Sequence, residues 1–352
     1  LVVFYTALHQ KTNTMRWAFD AHNHIHMGRS LPLTAFSDCN YLGGVAIMST
    51  HPRDFVTVKN LADIPMVSPN KEDNKPKKVI IPGYGIHPWF LHELEKSQWE
   101  GSSQKNDKDD SNNSPKDNPI WMQTMVQMLE SDPKAIVGEI GLDGFHFDVK
   151  TGNLKSPMSE QIKVFEMQLE IAVRLQRPVS IHVVQAFGPL LTSLSKFQKG
   201  TIPKEDDDDD VHSHNGDVNN NHRRRRRHRL GLPPKLYFHA FGGKVGTVDQ
   251  LVALCETREK NDSSKTRRLY FGFAPVVNFR SPKTIQVIRK IGLERLVLET
   301  DHEESSLVSQ SIEDGITYIA NALDLSRDEV IEQTTRNACD LYGIDILTFQ
   351  GT

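Results

Sequence analysis

The sequence predicts a single (β/α)8 barrel. Short apolar runs alternate eight times with helical patterns along the 352 residues, as in proteins built from repeated strand and helix units. The runs are almost continuously apolar, which is typical of parallel strands that helices cover on both faces. About 280 residues remain once the polar segments are set aside, a length that suits one barrel domain. An open, doubly wound sheet is the alternative architecture.

The predicted strands share an apolar centre, and most of them end near a polar residue. Two of them read KVIIPGYGIH and RLVLETD. Helical patterns lie between these runs along the chain. The eight segments are Arg16–His22, Gly43–Thr50, Lys78–His87, Ala135–Asp143, Pro178–Val184, Lys235–Phe241, Arg268–Val277 and Arg295–Asp301.

Two helices follow from the hydrophobic pattern. Apolar residues at steps of three and four predict an amphipathic helix over Ser159–Leu175, which is expected to cover the sheet. Near the end of the chain, Ser326 and Glu329 form a capping box, and Gly343 provides a C-terminal stop. The apolar positions that define the two helices are Ile162, Phe165, Leu169, Ala172, Val173, Val330, Ile331, Ala338 and Leu341.

One domain, residues 15–348, is predicted to carry two polar insertions, 98–118 and 200–231, whose compositions disfavour packing. The second contains the acidic run Glu205–Asp210 and the basic run Arg223–Arg227. Clustered arginines can contact nucleic acid or direct nuclear import, but the lack of interleaved aromatic residues favours a solvated loop. Residues 1–14 are interpreted as a leader or a translated upstream stretch, because the chain starts with Leu and Met15 is a plausible start.

Composition excludes several classes of function. Lys and Arg number 42 against 45 Asp and Glu, a net charge of −3, so no global field attracts nucleic acid or an acidic membrane. The apolar opening, residues 1–8, is too short for a signal peptide or a membrane span. Cys39, Cys255 and Cys339 lack metal-binding or redox spacing, which indicates a reducing compartment. We therefore expect a cytoplasmic protein without membrane association, and nuclear entry is left open.

Five predicted strands end in residues that can bind metal, and the carboxyl ends of barrel strands meet at one mouth. At the end of the first strand, His22 and His24 point to the same side, about 7 Å apart along the strand. Two imidazoles in that arrangement can bind one cation. Alone, this pattern is weak, because paired histidines on a strand often have structural roles.

The other four strand ends strengthen the metal hypothesis. Glu139 lies in an apolar strand, where a carboxylate is costly to bury without a cation or hydrogen bonds. Asp301 ends the eighth strand and could bind metal and accept a proton from water. His182 and His239 each follow apolar residues. Taken singly, each residue has a structural alternative. Glu139 could pair with an arginine, and Asp301 could cap the following helix. His182 and His239 could each be a core histidine. Together they form a nitrogen and oxygen donor set suited to Zn²⁺, Mn²⁺ or Mg²⁺, and six donors suit two ions that share Glu139.

On these motifs the chain resembles the TatD-type metal-dependent deoxyribonucleases, a family of the amidohydrolase-like barrel superfamily. The resemblance runs from Phe19 to Gly343 with the polar insertions excluded, and the order and spacing of its motifs are highly specific as a set. The matching stretches are FDAHNHIH, GYGIHPW, VGEIGLD, EQIKVFEMQLEIAVRLQRP, VSIH, LYFHAFGG, LETD and RNACDLYGI. The resemblance implies two metal sets that share one carboxylate: His22, His24, Glu139 and Asp301, and Glu139, His182 and His239.

The resemblance also implies an activity and further roles. Family members hydrolyse phosphodiesters and often trim DNA from its 3′ end with Mg²⁺ or Mn²⁺. Glu139 and Asp301 would be the catalytic residues, with Asp301 as the base. His87 becomes a candidate substrate contact, with packing of its turn as the alternative. Asp143 is expected to orient a neighbouring ligand.

Four positions depart from the family pattern, and all are expected at the substrate mouth. Val184 replaces an arginine that would bind phosphate, so phosphate binding is expected to be weakened or relocated. His26 replaces an acid, Gly144 an aromatic residue and His302 an alanine. These changes suggest a divergent subgroup, which includes eukaryotic members described chiefly as protein partners.

The most specific hypothesis is a divalent-metal-dependent hydrolase that degrades DNA from its 3′ end with a metal-activated water. A second hypothesis is a metal-stabilised barrel that acts as a protein-binding regulatory module. A third is a hydrolase of amides or esters, because the fold and the ligand set do not determine the substrate. The expected partner is therefore DNA in the first hypothesis and a protein in the second.

Overall fold

Eight parallel strands lie in chain order in one sheet of the computed structural model, which describes residues 17–29, 42–64, 78–99, 118–200, 231–256 and 268–349. Each strand pairs in parallel with the next one along the chain. The strands are β1 (Ala18–Asn23), β2 (Leu42–Met48), β3 (Val79–Tyr84), β4 (Ile136–Asp143), β5 (Val179–Val184), β6 (Leu236–Phe238), β7 (Leu269–Gly272) and β8 (Leu296–Val297).

Helices follow the strands and cover the outer face of the sheet, which buries the apolar side chains of both layers. No helix in the described ranges has the length and apolar character needed to cross a membrane. The helices are α1 (Phe55–Ala62), α2 (Lys96–Trp99), α3 (Ile120–Ser131), α4 (Met158–Arg174), α5 (Phe187–Lys199), α6 (Val245–Cys255), α7 (Pro275–Asn278), α8 (Thr284–Ile291), α9 (Ser305–Leu323) and α10 (Arg327–Tyr342), with 3₁₀ turns at Pro52–Asp54, Pro88–Glu93, Leu293–Arg295 and Ile346–Phe349.

Backbone hydrogen bonds join β1, and the residue after it, to the residues that follow β8. They bring the two ends of the sheet together, so the barrel is nearly closed and the predicted (β/α)8 architecture is confirmed. The bonds run from Ala21 N to Leu298 O (2.8 Å), from Asp301 N to His22 O (3.0 Å) and from His24 N to His302 O (2.8 Å).

Large aromatic side chains fill the barrel interior and close its lower end. Phe19, Tyr237 and Tyr270 are buried inside the barrel. The rings of Tyr342 and Phe349, from the last part of the chain, lie 5.7 and 6.0 Å from the ring of Phe19. This packing closes the end where the strands begin and leaves their carboxyl ends as the accessible mouth.

Both predicted helices are present. In α10, Ser326 Oγ accepts a hydrogen bond from Glu329 N, and Glu329 Oε2 accepts one from Ser326 N (2.8 Å). The helix ends at Gly343, whose φ of 66° lies in the left-handed region that glycine tolerates. In α4 the predicted apolar stripe packs on the sheet, with Phe165, Leu169 and Ala172 fully buried and Ile162 and Val173 partly buried.

Several predicted strands are too long at their carboxyl ends. The seventh was expected to extend to Val277, but β7 ends at Gly272 and Pro275 begins α7. Proline lacks an N–H and has a fixed φ, so it suits the first turn of a helix. The third and eighth strands end at Tyr84 and Val297, because the residues beyond them leave the ladder and turn into the mouth.

The first polar insertion begins later than predicted. Gln98 and Trp99 belong to α2, and the ring of Trp99 lies 6.3 Å from that of Trp121 at nearly a right angle. This edge-on aromatic packing is favourable and explains why the two residues fold with the domain. Residues 100–117, residues 201–230 of the predicted second insertion, and residues 1–14, which were predicted to be a leader, lie outside the described residues.

Gly141 generates a prediction about the sheet. A Cβ at this position would collide with the backbone oxygen of His182 on β5. We therefore expect Gly141→Ala to lower the free energy of unfolding by about 2–3 kcal/mol, measured by urea denaturation. Gly315→Ala is the matched control, because a Cβ there meets nothing closer than 3.6 Å and a helix favours Ala over Gly. Wild-type stability of Gly141→Ala would contradict the close strand packing.

Candidate metal centre

The six side chains predicted to bind metal meet at the mouth of the barrel. They lie on β1 and just after it, in the middle of β4, on β5, just after β6 and in the segment after β8. None of these side chains is more than 18% exposed. They are His22, His24, Glu139, His182, His239 and Asp301.

Glu139 lies at the centre of the cluster, and its two carboxylate oxygens face different imidazoles. Oε2 is 3.4 Å from Nε2 of His22 and 3.1 Å from Nε2 of His24. Oε1 is 3.3 Å from Nε2 of His87, 3.2 Å from Nδ1 of His182 and 2.5 Å from Nε2 of His239.

Asp301 lies on the solvent side of the same cluster. Its Oδ1 is 3.7 Å from Nε2 of both His22 and His24. The backbone of Asp301 is left-handed, with φ of 57°, a conformation that Asp tolerates better than most residues. Because its side chain is 18% exposed, Asp301 can face both a bound ion and a water molecule at the mouth.

Hydrogen bonds outside the cluster indicate which ring nitrogens are free to bind metal. Nδ1 of His24 is 2.8 Å from the backbone oxygen of Met48, and Nε2 of His182 is 3.0 Å from Oδ2 of Asp143. Both partners only accept, so those nitrogens carry hydrogen. The opposite nitrogens, which face Glu139, are therefore the ones that can bind metal, as in metal sites whose histidines donate outward.

His87 differs from these histidines. Its Nδ1 accepts a hydrogen bond from Trp89 N at 3.1 Å, so in the neutral ring Nε2 carries the hydrogen. That Nε2 is 3.3 Å from Oε1 of Glu139. Geometry thus makes His87 a hydrogen-bond donor toward the centre, although its position beside Glu139 and His182 also forms a possible ligand group.

The chemistry of the cluster fits a divalent cation. Oε1 of Glu139 and both ring nitrogens of His239 are buried and make no hydrogen bond of regular geometry among the described residues, although Nε2 of His239 lies 2.5 Å from Oε1. A bound cation would satisfy these donor atoms. The donors are nitrogen and oxygen atoms, as harder divalent ions prefer. Within the described ranges, the groups with donor atoms inside 4.8 Å are His22, Glu139 and His239; His22, His24 and Asp301; and His87, Glu139 and His182.

Electrostatics at the centre depend on Glu139. Burial raises the pKa of Glu139, but the imidazoles of His239, His87 and His22 outweigh it and keep that pKa well below its usual value. Burial lowers the pKa of His24, yet the hydrogen bond and charge of Glu139 raise it to about 9. The carboxylate of Glu139 is therefore anionic. Without metal, it keeps the ring of His24 protonated at neutral pH.

Residues 19–343 match the family model described as TatD related DNase. The chain belongs to this family. Membership confirms the resemblance seen in the sequence, and it identifies a metal-dependent hydrolase that acts on ester bonds.

Individual relatives agree with the family assignment. The chain is 27% identical over 328 residues to the Cut9-interacting protein scn1 of Schizosaccharomyces pombe, covering 84% of this chain and 90% of that protein. It is 25% identical over 252 residues to the human 3′-5′ RNA nuclease TATDN2, covering 70% of this chain but only 23% of that protein. The crystal structure of YJJV, a TatD homologue from Escherichia coli K12, covers 94% of this chain and 100% of its own at 18% identity, with a TM-score of 0.61, and shows the same fold.

Asp20, which the sequence patterns did not reveal as a site residue, stabilises the TatD-family centre from below. Its carboxylate accepts hydrogen bonds from Thr300 N (3.0 Å) and Thr300 Oγ1 (2.7 Å). These bonds join β1 to the residue before Asp301. Burial raises the pKa of Asp20 to about 7. Because a buried carboxylate without partners is costly, the four hydrogen-bond donors around Asp20 are what stabilise it in the core.

Glu299 is a second buried carboxylate that sequence reasoning missed. It accepts hydrogen bonds from Ala240 N (2.6 Å) and from the Tyr237 hydroxyl. The bond to Ala240 fixes the residue that follows His239. Its only signal in the sequence is that an acidic residue lies inside an apolar run. The same signal marks Glu299 in LETD and Asp20 in FDAH.

Asp143 has the contacts that its predicted orienting role requires. Oδ2 accepts from Trp89 Nε1 (2.7 Å) and contacts His182 Nε2 (3.0 Å). Oδ1 accepts from Phe145 N (2.6 Å) and His146 N (2.9 Å). Burial raises the pKa of Asp143, but these hydrogen bonds lower it well below its usual value, so the residue is an anion that fixes the ring of His182.

The positions that depart from the TatD pattern do not all face the mouth. Val184 ends β5, and its backbone oxygen accepts from Gly144 N at 2.8 Å. The side chain of His26 is only 2% exposed, and its Nε2 lies 3.8 Å from Oδ2 of Asp54. His302 follows Asp301 and is partly exposed. His26 is thus buried beside an acid rather than open to substrate.

Replacement of Glu139 tests the centre directly. Glu139→Gln removes the charge that five imidazoles surround, so we expect at least about a 100-fold loss of metal affinity, since losing an outer hydrogen-bond partner alone costs 10- to 100-fold. Metal content after dialysis, measured by mass spectrometry, reports the loss. Glu166→Gln is the matched control, because Glu166 pairs with Lys196 away from the mouth. Unchanged metal content in Glu139→Gln would contradict the assignment.

Metal binding is expected to release protons. His182, like His24, has a pKa of about 9. Burial lowers the pKa of His182, but the hydrogen bonds that its ring donates to Asp143 and Glu139 outweigh that effect. Both rings are therefore protonated at pH 7 and must each lose a proton to bind metal. Titration calorimetry with Zn²⁺ in buffers of different ionisation enthalpy should show about two protons released, and affinity should rise as the pH approaches 9. Binding without proton release would refute this account.

Proposed function

We propose that this protein degrades DNA from its 3′ end by metal-dependent hydrolysis of phosphodiesters. The observation that carries the proposal is the buried, anionic Glu139 among imidazoles, with Asp301 beside it at the mouth. Such a set of donors is suited to charge neutralisation at a phosphate. The family is described by its DNase members, and the 3′-5′ polarity of one relative supports the choice of strand end.

Two divalent ions, Mg²⁺, Mn²⁺ or Zn²⁺, are proposed to share Glu139. Support comes from the division of its carboxylate: His22 and His24 face one oxygen, and His182 and His239 face the other. Asp301 lies beside the first pair. Two ions held by these residues would supply positive charge and Lewis acidity to a phosphodiester.

The roles of the residues follow from their positions. Bound divalent ions supply Lewis acidity and lower the pKa of water. Asp301, partly exposed at the mouth, accepts a proton from the attacking water. His87, whose neutral ring carries its hydrogen on Nε2 and faces the centre, donates that hydrogen to a substrate oxygen in place of the carboxylate of Glu139. Asp143 keeps His182 in the orientation that leaves Nδ1 free.

Release of nucleotides from 3′-labelled single-stranded DNA, with Mg²⁺ or Mn²⁺, tests the activity. We expect EDTA to abolish release and Asp301→Asn to reduce kcat by at least about 100-fold, the range of a lost general base. Asp314→Asn, at an exposed position on α9 where the carboxylate accepts a hydrogen bond from Gln310 Nε2 at 2.9 Å, controls for charge loss and contaminating nuclease. Release that persists in Asp301→Asn would refute the proposal, and preferential cleavage of an RNA of the same sequence would reassign the substrate.

A protein-binding role is the second candidate, because the similarity to scn1 extends over 90% of a protein named for an interaction. In that case the metal stabilises the barrel and the mouth binds a protein. Bound metal without hydrolysis of any phosphodiester would favour this role, and hydrolysis of small amides or esters alone would favour the third hypothesis.

A cytoplasmic location, with nuclear entry through the arginine run, is also proposed, and imaging of the tagged protein tests it.

A further inference from the structure

Four aromatic side chains form an exposed patch beside the metal centre: Trp89, Phe145, His146 and Phe147, hereafter the aromatic patch. Three of them are well exposed, Trp89 at 41%, Phe145 at 60% and Phe147 at 43%. The rings contact one another in pairs, with centroids of Trp89 and His146 at 4.9 Å and of Phe145 and Phe147 at 5.8 Å. Clustered exposed aromatic residues on a folded protein are typical of a binding surface.

The aromatic patch adjoins the catalytic cluster. The ring of Trp89 lies 5.1 Å from the ring of His87 and 6.0 Å from that of His182. If a phosphodiester binds at the metal centre, the nucleoside attached to its phosphate therefore lies within reach of the aromatic patch. The patch is close enough to contact the group attached to the reacting phosphate.

A single carboxylate fixes the aromatic patch relative to the metal centre. Asp143 accepts from Trp89 Nε1 at 2.7 Å and from the backbone N–H groups of Phe145 and His146. The same carboxylate contacts His182 at 3.0 Å. The indole N–H of Trp89 is therefore bonded to Asp143, and the face of its ring remains exposed at the surface.

We infer that the aromatic patch is a stacking site for an unpaired nucleobase of the nucleotide whose phosphate lies at the metal centre. Every base has a π-face, so aromatic rings bind single-stranded nucleic acid with little regard to sequence. A bound base also positions the phosphate, which matters because Val184 provides no donor at the end of β5. This inference rests on the proposed nuclease function, and it assigns single-stranded rather than duplex ends as the substrate.

Binding measurements separate stacking from other roles. Fluorescence anisotropy with the Asp301→Asn protein, which is expected to cleave substrate at least about 100-fold more slowly, compares two labelled single-stranded oligonucleotides. One is intact, and the other carries stable tetrahydrofuran abasic analogues at its 3′ end. Trp89→Leu and Phe145→Leu are expected to weaken binding of the intact oligonucleotide by about 5- to 100-fold and to leave binding of the abasic one nearly unchanged.

The variants are chosen to keep the result interpretable. Phe145→Leu removes a ring without removing a partner of Asp143, because only its backbone N–H contacts that carboxylate. Val149→Ala is the matched control, since it truncates a side chain that is 99% exposed on the same loop but carries no ring. Metal content of each variant shows whether the centre is intact.

Equal weakening for both oligonucleotides, or no weakening in Phe145→Leu, would overturn the stacking site. Absence of binding of either oligonucleotide to the parent protein would also overturn it and would direct attention to a protein partner for this surface. The outcome is separable from that of the proposed activity. Ring-dependent binding without cleavage by the wild type would retain the stacking site and refute the exonuclease, whereas metal-dependent cleavage with unaltered binding in both variants would do the reverse.

Discussion

The burial of the Glu139 carboxylate is the constraint on which the site depends. An anion in the core of a protein is unstable unless positive charge or hydrogen bonds surround it. Here five imidazoles from three strands and one turn lie within 3.4 Å of its oxygens. The outer nitrogens of these rings in turn need partners, which explains the contacts of His24 with Met48 and of His182 with Asp143.

The barrel places these groups because parallel strands deliver their carboxyl ends to one side. That alone does not fix atoms to within a few tenths of an ångström. Asp20 joins β1 to the chain before Asp301, and Glu299 joins that same segment to the residue after His239. These two carboxylates thus couple strands that are distant in sequence and make the positions of the metal-binding groups interdependent.

Much of the fold and the metal cluster could be predicted because both leave periodic or local signals. Apolar runs mark buried strands, and His22 with His24 is readable from adjacent residues. Other features depend on contacts through space. The roles of Asp20 and Glu299, the hydrogen position on His87 and the packing of Trp99 on Trp121 all require a partner far along the chain. Strand ends were overextended for a related reason. Apolar residues such as Val277 lengthen an apolar run, but Val277 lies exposed in a short helix that a proline begins.

Asp143 connects the two halves of the proposed substrate site. Its oxygens are shared between His182, which faces Glu139, and the N–H groups that place the aromatic patch. A substrate that stacks on Trp89 would therefore be positioned relative to the metal-binding rings by one rigid anion. This arrangement compensates for Val184, since a nucleotide bound through its base needs less from a side chain that contacts its phosphate. In the proposed enzyme, the π-face of the base would contribute binding that a contact with the charged backbone would otherwise supply. Glu139 and Asp301 would carry the chemistry.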